Sequence, residues 1–382
     1  MVISARALNR ATLARQLLLR REPLGAVEAL RRVVALQAQQ PASPYIALWN
    51  RLRDFDPAQL DEALAKRRIV KATLMRLTLH AVLAEDYQGF RAAMEPTLRS
   101  SRLGDTRFRA SGLTAEDADA LLADLLAHTR QPRTSAELGA WFEERLGRPL
   151  ETGAQRMLRQ YAPLWHAPTG GPWAFTHRLS YVTAARRPAL GEPAAADEGL
   201  RTLILRYLAG FGPASTADMA QFALVQRPRV RAAVKELGDE LEQLEGPGGT
   251  VLHDLPGAPR PDEDTPAPPR LMAMWDSVLL AHADRARVIP PAYRKHVTRV
   301  NGDVLPTLLV DGRVAGVWRA TGDGIEAGAF HPLPPHVWQE LAAEARSLLA
   351  LLTARDPRAY ARYDHWWAKG MPVAETRLLP GD

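Results

Sequence analysis

Gly212-Pro213-Ala214-Ser215-Thr216-Ala217-Asp218 reads as a tight turn that caps the start of a helix. Residues 203–208 before it are an apolar helical run. Residues 227–237 after it predict a further helix bearing Arg229, Arg231 and Lys235. Residues 241–244, the turn Gly246-Pro247-Gly248-Gly249 and the pair Val251-Leu252 close a hairpin. Helix, turn, capped helix, helix and glycine-turned hairpin is the winged helix-turn-helix plan.

The same order stands earlier in the chain. Residues 113–129 form a helix with Leu121, Leu122, Leu125 and Leu126, and Arg133-Thr134-Ser135-Ala136-Glu137-Leu138 caps the next. A third helix begins near Gly153. Leu164-Trp165-His166-Ala167, the turn Gly170-Gly171 and Trp173-Ala174-Phe175 predict a hairpin. A looser version opens the chain. Helices are expected over residues 4–20 and 23–36; residues 44–52 carry apolar weight toward a further helix at 57–65, and two strands around a tight reversal follow within 69–82. Lys66, Arg67, Arg68, Lys71 and Arg76 flank that wing and suit phosphate.

The pattern changes beyond a Pro- and Gly-rich linker at 256–270. Strands are predicted at 297–300, 304–310, 314–318 and 324–330, and Val310-Asp311-Gly312-Arg313 is a hairpin turn. A helix follows at 337–352, then an aromatic stretch with Tyr360, Tyr363, Trp366 and Trp367. The expected fold is mainly α with β. Three tandem winged helices, at 1–112, 113–190 and 197–256, precede a β-barrel-like domain with a terminal helix at 270–382.

The bulk numbers narrow the function. The chain has 382 residues, 46% hydrophobic and 24% charged, which is a globular composition. Its net charge is +6, and nearly all of the positive charge is arginine, which suits phosphate and base-edge contacts. There is no cysteine, which excludes disulfides, iron–sulfur clusters, zinc fingers and thiol catalysis. The ten histidines show no paired ligand spacing, so no metal is expected. No phosphate-cradling glycine loop or dinucleotide fingerprint appears, so no cofactor is expected either. The N-terminus lacks the apolar region of a signal peptide and no window resembles a membrane span. A monomer in the cytoplasm, associated with the nucleoid, is the expectation, with double-stranded DNA as partner.

Chemistry is expected around Ala35-Leu36-Gln37-Ala38-Gln39-Gln40-Pro41. Ala26, Leu30 and Val33 mark an apolar stripe whose next seat is Gln37, an amide where the pattern asks for a hydrocarbon. Gln40 precedes a proline and is pushed out of the helical region. In a non-helical turn Gln37 and Gln39 can converge, although a glutamine run at a helix end is ordinarily just solvated. Thr78 and His80 lie two apart on the wing and share a face, open to the same cleft or to a structural role alone. His282-Ala283-Asp284-Arg285 reads as a structural ion pair before it reads as an acid–base group. Thr78, His80, Lys71, Arg76, Arg229, Arg231 and Arg313 are the candidate DNA contacts.

Three features together resemble the AlkZ-type DNA glycosylases, bacterial winged-helix proteins associated with self-resistance to the crosslinking natural product azinomycin B. They are Leu36-Gln37-Ala38-Gln39-Gln40-Pro41 before Tyr45-Ile46-Ala47-Leu48-Trp49, the wing ending Leu77-Thr78-Leu79-His80, and Ser277-Val278-Leu279-Leu280-Ala281-His282-Ala283-Asp284-Arg285. The resemblance spans nearly the whole chain. It implies three winged helices and a C-terminal β-barrel in a C shape around DNA. It also implies a catalytic Gln, apolar residue, Gln motif at Gln37, Ala38 and Gln39. An N7- or N3-alkylated purine is cationic and already a good leaving group, so no general acid is needed. Two amides that orient water are then enough, and interstrand crosslinks become plausible substrates. No lysine stands in the motif to form a Schiff base, so a monofunctional enzyme is expected. The rival reading is a winged-helix transcription regulator or DNA architectural protein whose glutamines are incidental; regulators usually dimerise on symmetric sites.

Overall fold

The computed structural model describes residues 2–380; residues 1 and 381–382, at the outer edges of the first and last expected domains, lie outside it. The fold mixes 49% helix with 16% strand. The helix Ala5–Arg15 starts at Ser4, whose Oγ accepts from the Ala7 N–H at 3.0 Å. The next helix covers only Ala26–Val33, shorter than the apolar stripe predicts. It stops because Val34 turns to φ 73°, a conformation that a β-branched residue rarely adopts. Packing holds it there. Val33 and Val34 are both fully buried but in different cores. Gly210 leaves room for Val34, since a Cβ there would meet Val34 Cγ2 at 2.7 Å.

Leu36–Gln37 is therefore a short strand, β1, and not the end of a helix. With β2 (Ile69–Thr73) and β3 (Leu79–Leu83) it forms the start of a sheet in which Leu36 faces Ala81 and Gln37 faces His80. The strands β4 (Arg133–Thr134), β5 (Leu164–His166) and β6 (Ser180–Thr183) complete it in the order β1-β3-β2-β5-β6-β4. The wings of the first two expected modules are thus one sheet, joined where Lys71 pairs with His166. The expected hairpin partner of β5 is corrected: Trp173-Ala174-Phe175 pairs with no strand. Its rings pack into the first segment instead. Trp173 lies 4.9 Å from Tyr45, whose hydroxyl accepts the Ala174 N–H at 3.1 Å.

Two long helices tie these parts together, Ala84–Leu103, which is not among the expected helices, and Pro193–Phe211. They cross so closely at Gly199 that a Cβ there would lie 2.4 Å from the Gly89 carbonyl oxygen. The stretch that begins at Gly212 folds as expected. Ser215 and Asp218 form a reciprocal capping box before the helix Thr216–Ala223. The helix Arg227–Leu237 and the hairpin of β7 (Glu242–Glu245) and β8 (Val251–Asp254) follow.

The C-terminal part departs further. Strands β9 (Arg270–Leu271), β10 (Thr307–Val310), β11 (Arg313–Ala320), β12 (Ile325–Ala329) and β13 (Glu375–Leu379) make one sheet in the order β13-β12-β11-β10-β9. The sheet is open, and no sheet among the described residues closes into a barrel. The strand expected at 297–300 does not form: Val297 ends the helical turn Arg294–Val297, Thr298 makes an isolated bridge to Val304, and Val300 is fully exposed. The helix Pro335–Arg355 covers the sheet and supplies Leu341, Ala345 and Leu348 to a core shared with Leu13, Leu30, Ile46 and Leu48. The two ends of the chain therefore fold against each other.

That junction carries a fully buried ion pair. Arg51, at the end of the helix Ser43–Arg51, donates from Nη1 and Nη2 to both oxygens of Asp276 at 2.8 Å. Removing one partner strands the other charge without water. Arg51→Ala is expected to cost about 3–5 kcal/mol in urea denaturation. Arg20→Ala, which removes an exposed guanidinium paired with the partly buried Glu22, should stay within about 0.5 kcal/mol. Equal effects would show that the pair does not hold the junction.

Candidate active site

A cleft of about 710 Å³ opens beside β1, β2 and β3. Gln37, Gln39, Lys71 and Thr78 line it on the sheet side, Arg102, Arg107, Arg156 and Arg159 on the helical side, and Trp275, Asp303, Arg362 and Tyr363 opposite. Four of the candidate residues thus meet in one place.

The register of β1 on β3 sets Gln37 and His80 on the same face. Gln37 is 4% exposed and its Oε1 accepts from Arg76 Nη2 at 2.7 Å. The same nitrogen lies 3.1 Å from His80 Nε2. A guanidinium only donates, so Nε2 is the bare nitrogen of the ring. His80 Nδ1–H then donates to the Thr78 carbonyl at 3.2 Å. Burial, and next the Arg76 charge, push the His80 pKa well below the ordinary histidine value. His80 is neutral and is a structural acceptor.

Arg76 was expected on phosphate, and the structure corrects that placement. It sits in the reversal between β2 and β3 at φ 53°. Part of its stem is exposed, but the guanidinium turns inward and lies 5.3 Å over the Phe222 ring. Burial first and the Arg285 charge second lower its pKa to about 10, so it stays protonated. Phe222 belongs to the helix Thr216–Ala223, so a helix from the middle of the chain braces the guanidinium that holds Gln37.

Gln39 is exposed, and its Oε1 accepts from the Leu79 N–H only at 3.5 Å. The Ala38 N–H donates to the Leu79 carbonyl at 2.8 Å and continues the pairing of β1. Gln40 Nε2 donates to the Tyr363 hydroxyl at 2.6 Å, and Ser43 Oγ lies 2.9 Å from the Tyr360 hydroxyl. The C-terminal aromatics thereby hold the glutamine turn. Thr78 lines the cleft and donates from Oγ1 to the Met75 carbonyl at 3.1 Å.

The remaining basic candidates lie elsewhere. Arg229 donates to Asp197 at 2.8 Å and borders a separate groove with Glu192 and Glu236. Arg231 and Arg313 are exposed and do not line the cleft. The cleft's own cations went unread: Arg156 and Arg159 stand three apart on the helix Thr152–Tyr161. Their position, third helix of the second expected module, is the signal that could have found them. Arg156 is exposed without an ion-pair partner among the described residues. Asp284 caps a turn by accepting from the Ala286 N–H at 2.9 Å. His282 is buried, 3.0 Å from the Phe211 carbonyl, and its pKa is lowered to about 3 by burial first. That group is structural. No cluster of metal-ligating side chains occurs among the described residues.

Lys71 is 3% exposed, and its ammonium lies 4.5 Å over the Phe175 ring with no carboxylate partner among the described residues. Burial lowers its pKa from 10.5 to about 8. The unfolded chain binds the extra proton between those values, so stability rises with pH from 8 to 10.5, and the full cost of burying the charge applies below 8. Lys71→Met should raise the unfolding free energy near neutral pH by about 2–3 kcal/mol and remove that rise, measured by urea denaturation at several pH values. A less stable variant would contradict the placement.

The chain matches the family model described as DNA glycosylase AlkZ-like over residues 30–351. It is 25% identical over 320 residues to an interstrand DNA cross-link repair glycosylase of Streptomyces sahachiroi, covering 80% of this chain and 84% of that protein. Its fold is similar to the solved structure of Streptomyces sahachiroi DNA glycosylase AlkZ, with a TM-score of 0.77 at 22% identity, covering 93% of this chain and 98% of the other. No helix among the described residues is long and apolar enough to cross a membrane.

Proposed function

The chain belongs to the AlkZ-like DNA glycosylase family, hydrolases of N-glycosyl bonds, and from that premise we propose that it releases N7- or N3-alkylated purines from duplex DNA and unhooks interstrand crosslinks. The observation that carries this reading is the meeting of Gln37 and Gln39 in a cleft walled by arginines. A neutral amide is a poor base and no acid. It serves only a bond that is already labile, such as that of a cationic purine. The purine leaves with the C1′–N9 electron pair, and an oriented water adds to C1′. The crosslink assignment rests on the likeness to the interstrand DNA cross-link repair glycosylase of Streptomyces sahachiroi.

The neighbours suit this chemistry. His80 is neutral and held, so it neither donates a proton nor competes for the water. Arg102, Arg156 and the buried Lys71 supply positive charge toward phosphates along the cleft wall, while Arg107 is paired with Asp105. We read residues 1–112, 113–190 and 197–256 as winged-helix modules around the DNA, with Thr78 next to the lesion. The helical turn between the helix Pro335–Arg355 and β13 supports the glutamine turn through Tyr360 and Tyr363.

The test is single-turnover release of N7-alkylguanine from alkylated duplex, by wild type and by Gln37→Ala combined with Gln39→Ala. Excision is expected to fall by at least about 100-fold while DNA affinity is kept. Equal rates would move the chemistry away from the two glutamines, and no release by wild type would refute the glycosidic reading.

A further inference from the structure

Each amide of the pair has a carbonyl that accepts and an N–H₂ that donates, and the contacts of Gln37 and Gln39 separate the two uses. Gln37 Oε1 is occupied by Arg76 Nη2 at 2.7 Å. Because a guanidinium cannot accept, the amide cannot be turned the other way without setting donor against donor. The Nε2 end of Gln37 is therefore the end that Arg76 does not hold. Gln39 differs. It is exposed, and its carbonyl has only the long 3.5 Å contact with the Leu79 N–H, so lone pairs remain for a further donor.

Arg76 is itself fixed. The turn that carries it is closed by Leu74 N–H to the Thr78 carbonyl at 3.0 Å and Leu77 N–H to the Leu74 carbonyl at 2.9 Å. Its guanidinium lies over Phe222, and its Nη2 donates to both Gln37 Oε1 and His80 Nε2. Arg76, His80 and Gln37 thus form a chain with one consistent set of protons, ending at the Thr78 carbonyl.

We propose that Arg76 is a positioning residue that presents Gln37 to the substrate as a hydrogen-bond donor, and that Gln39 alone supplies the acceptor that orders the water. This rests on the glycosidic reading above. As the C1′–N9 bond breaks, its electron pair goes to N9 and spreads onto N3 and the exocyclic oxygen of the departing purine. Those atoms become better acceptors in the transition state than in the cationic ground state, and the Gln37 N–H meets that change. The water held by the Gln39 carbonyl forms the new C1′–O bond, and its proton passes to solvent.

The decisive variants are isosteric. Gln37→Glu keeps an acceptor for Arg76 but has no N–H, whereas Gln39→Glu keeps the acceptor that this assignment requires. Single-turnover release of N7-methylguanine is measured with enzyme in saturating excess. Gln37→Glu is expected to lose about 100-fold in rate, the usual worth of one preorganised donor, and Gln39→Glu to stay within about threefold of wild type or above it. Arg76→Ala should lose rate and regain part of it when guanidinium ion is added, while Arg76→Lys keeps more activity than Arg76→Ala. A purely structural arginine would not respond to the added ion. Should Arg76→Ala fail to fold, the two glutamate variants decide alone. Gln37→Glu as fast as wild type, or Gln39→Glu slower than Gln37→Glu, overturns the assignment. Release by wild type in the same assay separates either result from a failure of the glycosidic reading itself.

Discussion

The site exists because the chain leaves its helix at Val34 and lays Leu36 and Gln37 along β3. Had the helix run on through Leu36, Gln37 would occupy a helical seat and could not face His80. The exit is forced from several sides. Val33 and Val34 enter separate cores, and the gap at Gly210 admits Val34. The hydroxyl of Ser277 donates to the Ala35 carbonyl at 3.0 Å, which the helix no longer satisfies. Residues from the middle and the end of the sequence thus fix the position of one amide near its beginning. Core packing and backbone hydrogen bonding over-determine a conformation that a valine would not choose alone.

The second theme is uncompensated positive charge. Lys71 and Arg159 are buried at the cleft, and His166 between them is kept neutral by burial first and by Lys71 next. A free-standing domain gains nothing from such an arrangement, because desolvated cations without carboxylates oppose folding. A polyanion in the cleft would supply the missing counter-charge. The contrast with Arg51 and Arg15 is instructive. Those guanidiniums are equally buried but hold Asp276 and Asp254 in two-pronged contacts, and none of the four residues lines the cleft. Within the cleft Arg107 is paired with Asp105 and Arg91 with Glu95, whereas Arg156, Arg159 and Lys71 have no carboxylate partner among the described residues.

Much of the helical order was legible because it is locally encoded. The helix Arg227–Leu237 and the helix Pro57–Ala65 have the bounds their periodicity predicts, and Ser215 and Thr134 mark helix starts through local capping. What stayed hidden depends on distant partners. β1 is two residues long and becomes a strand only against β3. The helix Ala84–Leu103 stayed hidden although Tyr87, Phe90, Met94 and Leu98 have helical spacing, because Pro96 stands in its interior, and its place is set by Pro193–Phe211. Trp173 and Phe175 look like strand residues but serve as packing against Tyr45 and Lys71. At the site, Gln37 was visible as an amide on an apolar stripe and through the family motif. Arg76 was visible only as a charge. Sequence shows that a long side chain is cationic but not where its guanidinium points, and here the inward direction turns a phosphate contact into support for Gln37.

The account holds that two amides cleave the glycosidic bond without any titrating group. The most direct measurement is the pH dependence of single-turnover release of N7-methylguanine at saturating enzyme, from about pH 6 to about pH 7.5, below the value of about 8 to which burial lowers Lys71. The predicted result is a flat profile, since amides do not ionise and His80 is neutral throughout. A profile with a unit slope or a bell shape would mean that a group such as Asp303, which also lines the cleft, acts as acid or base, and would contradict the account.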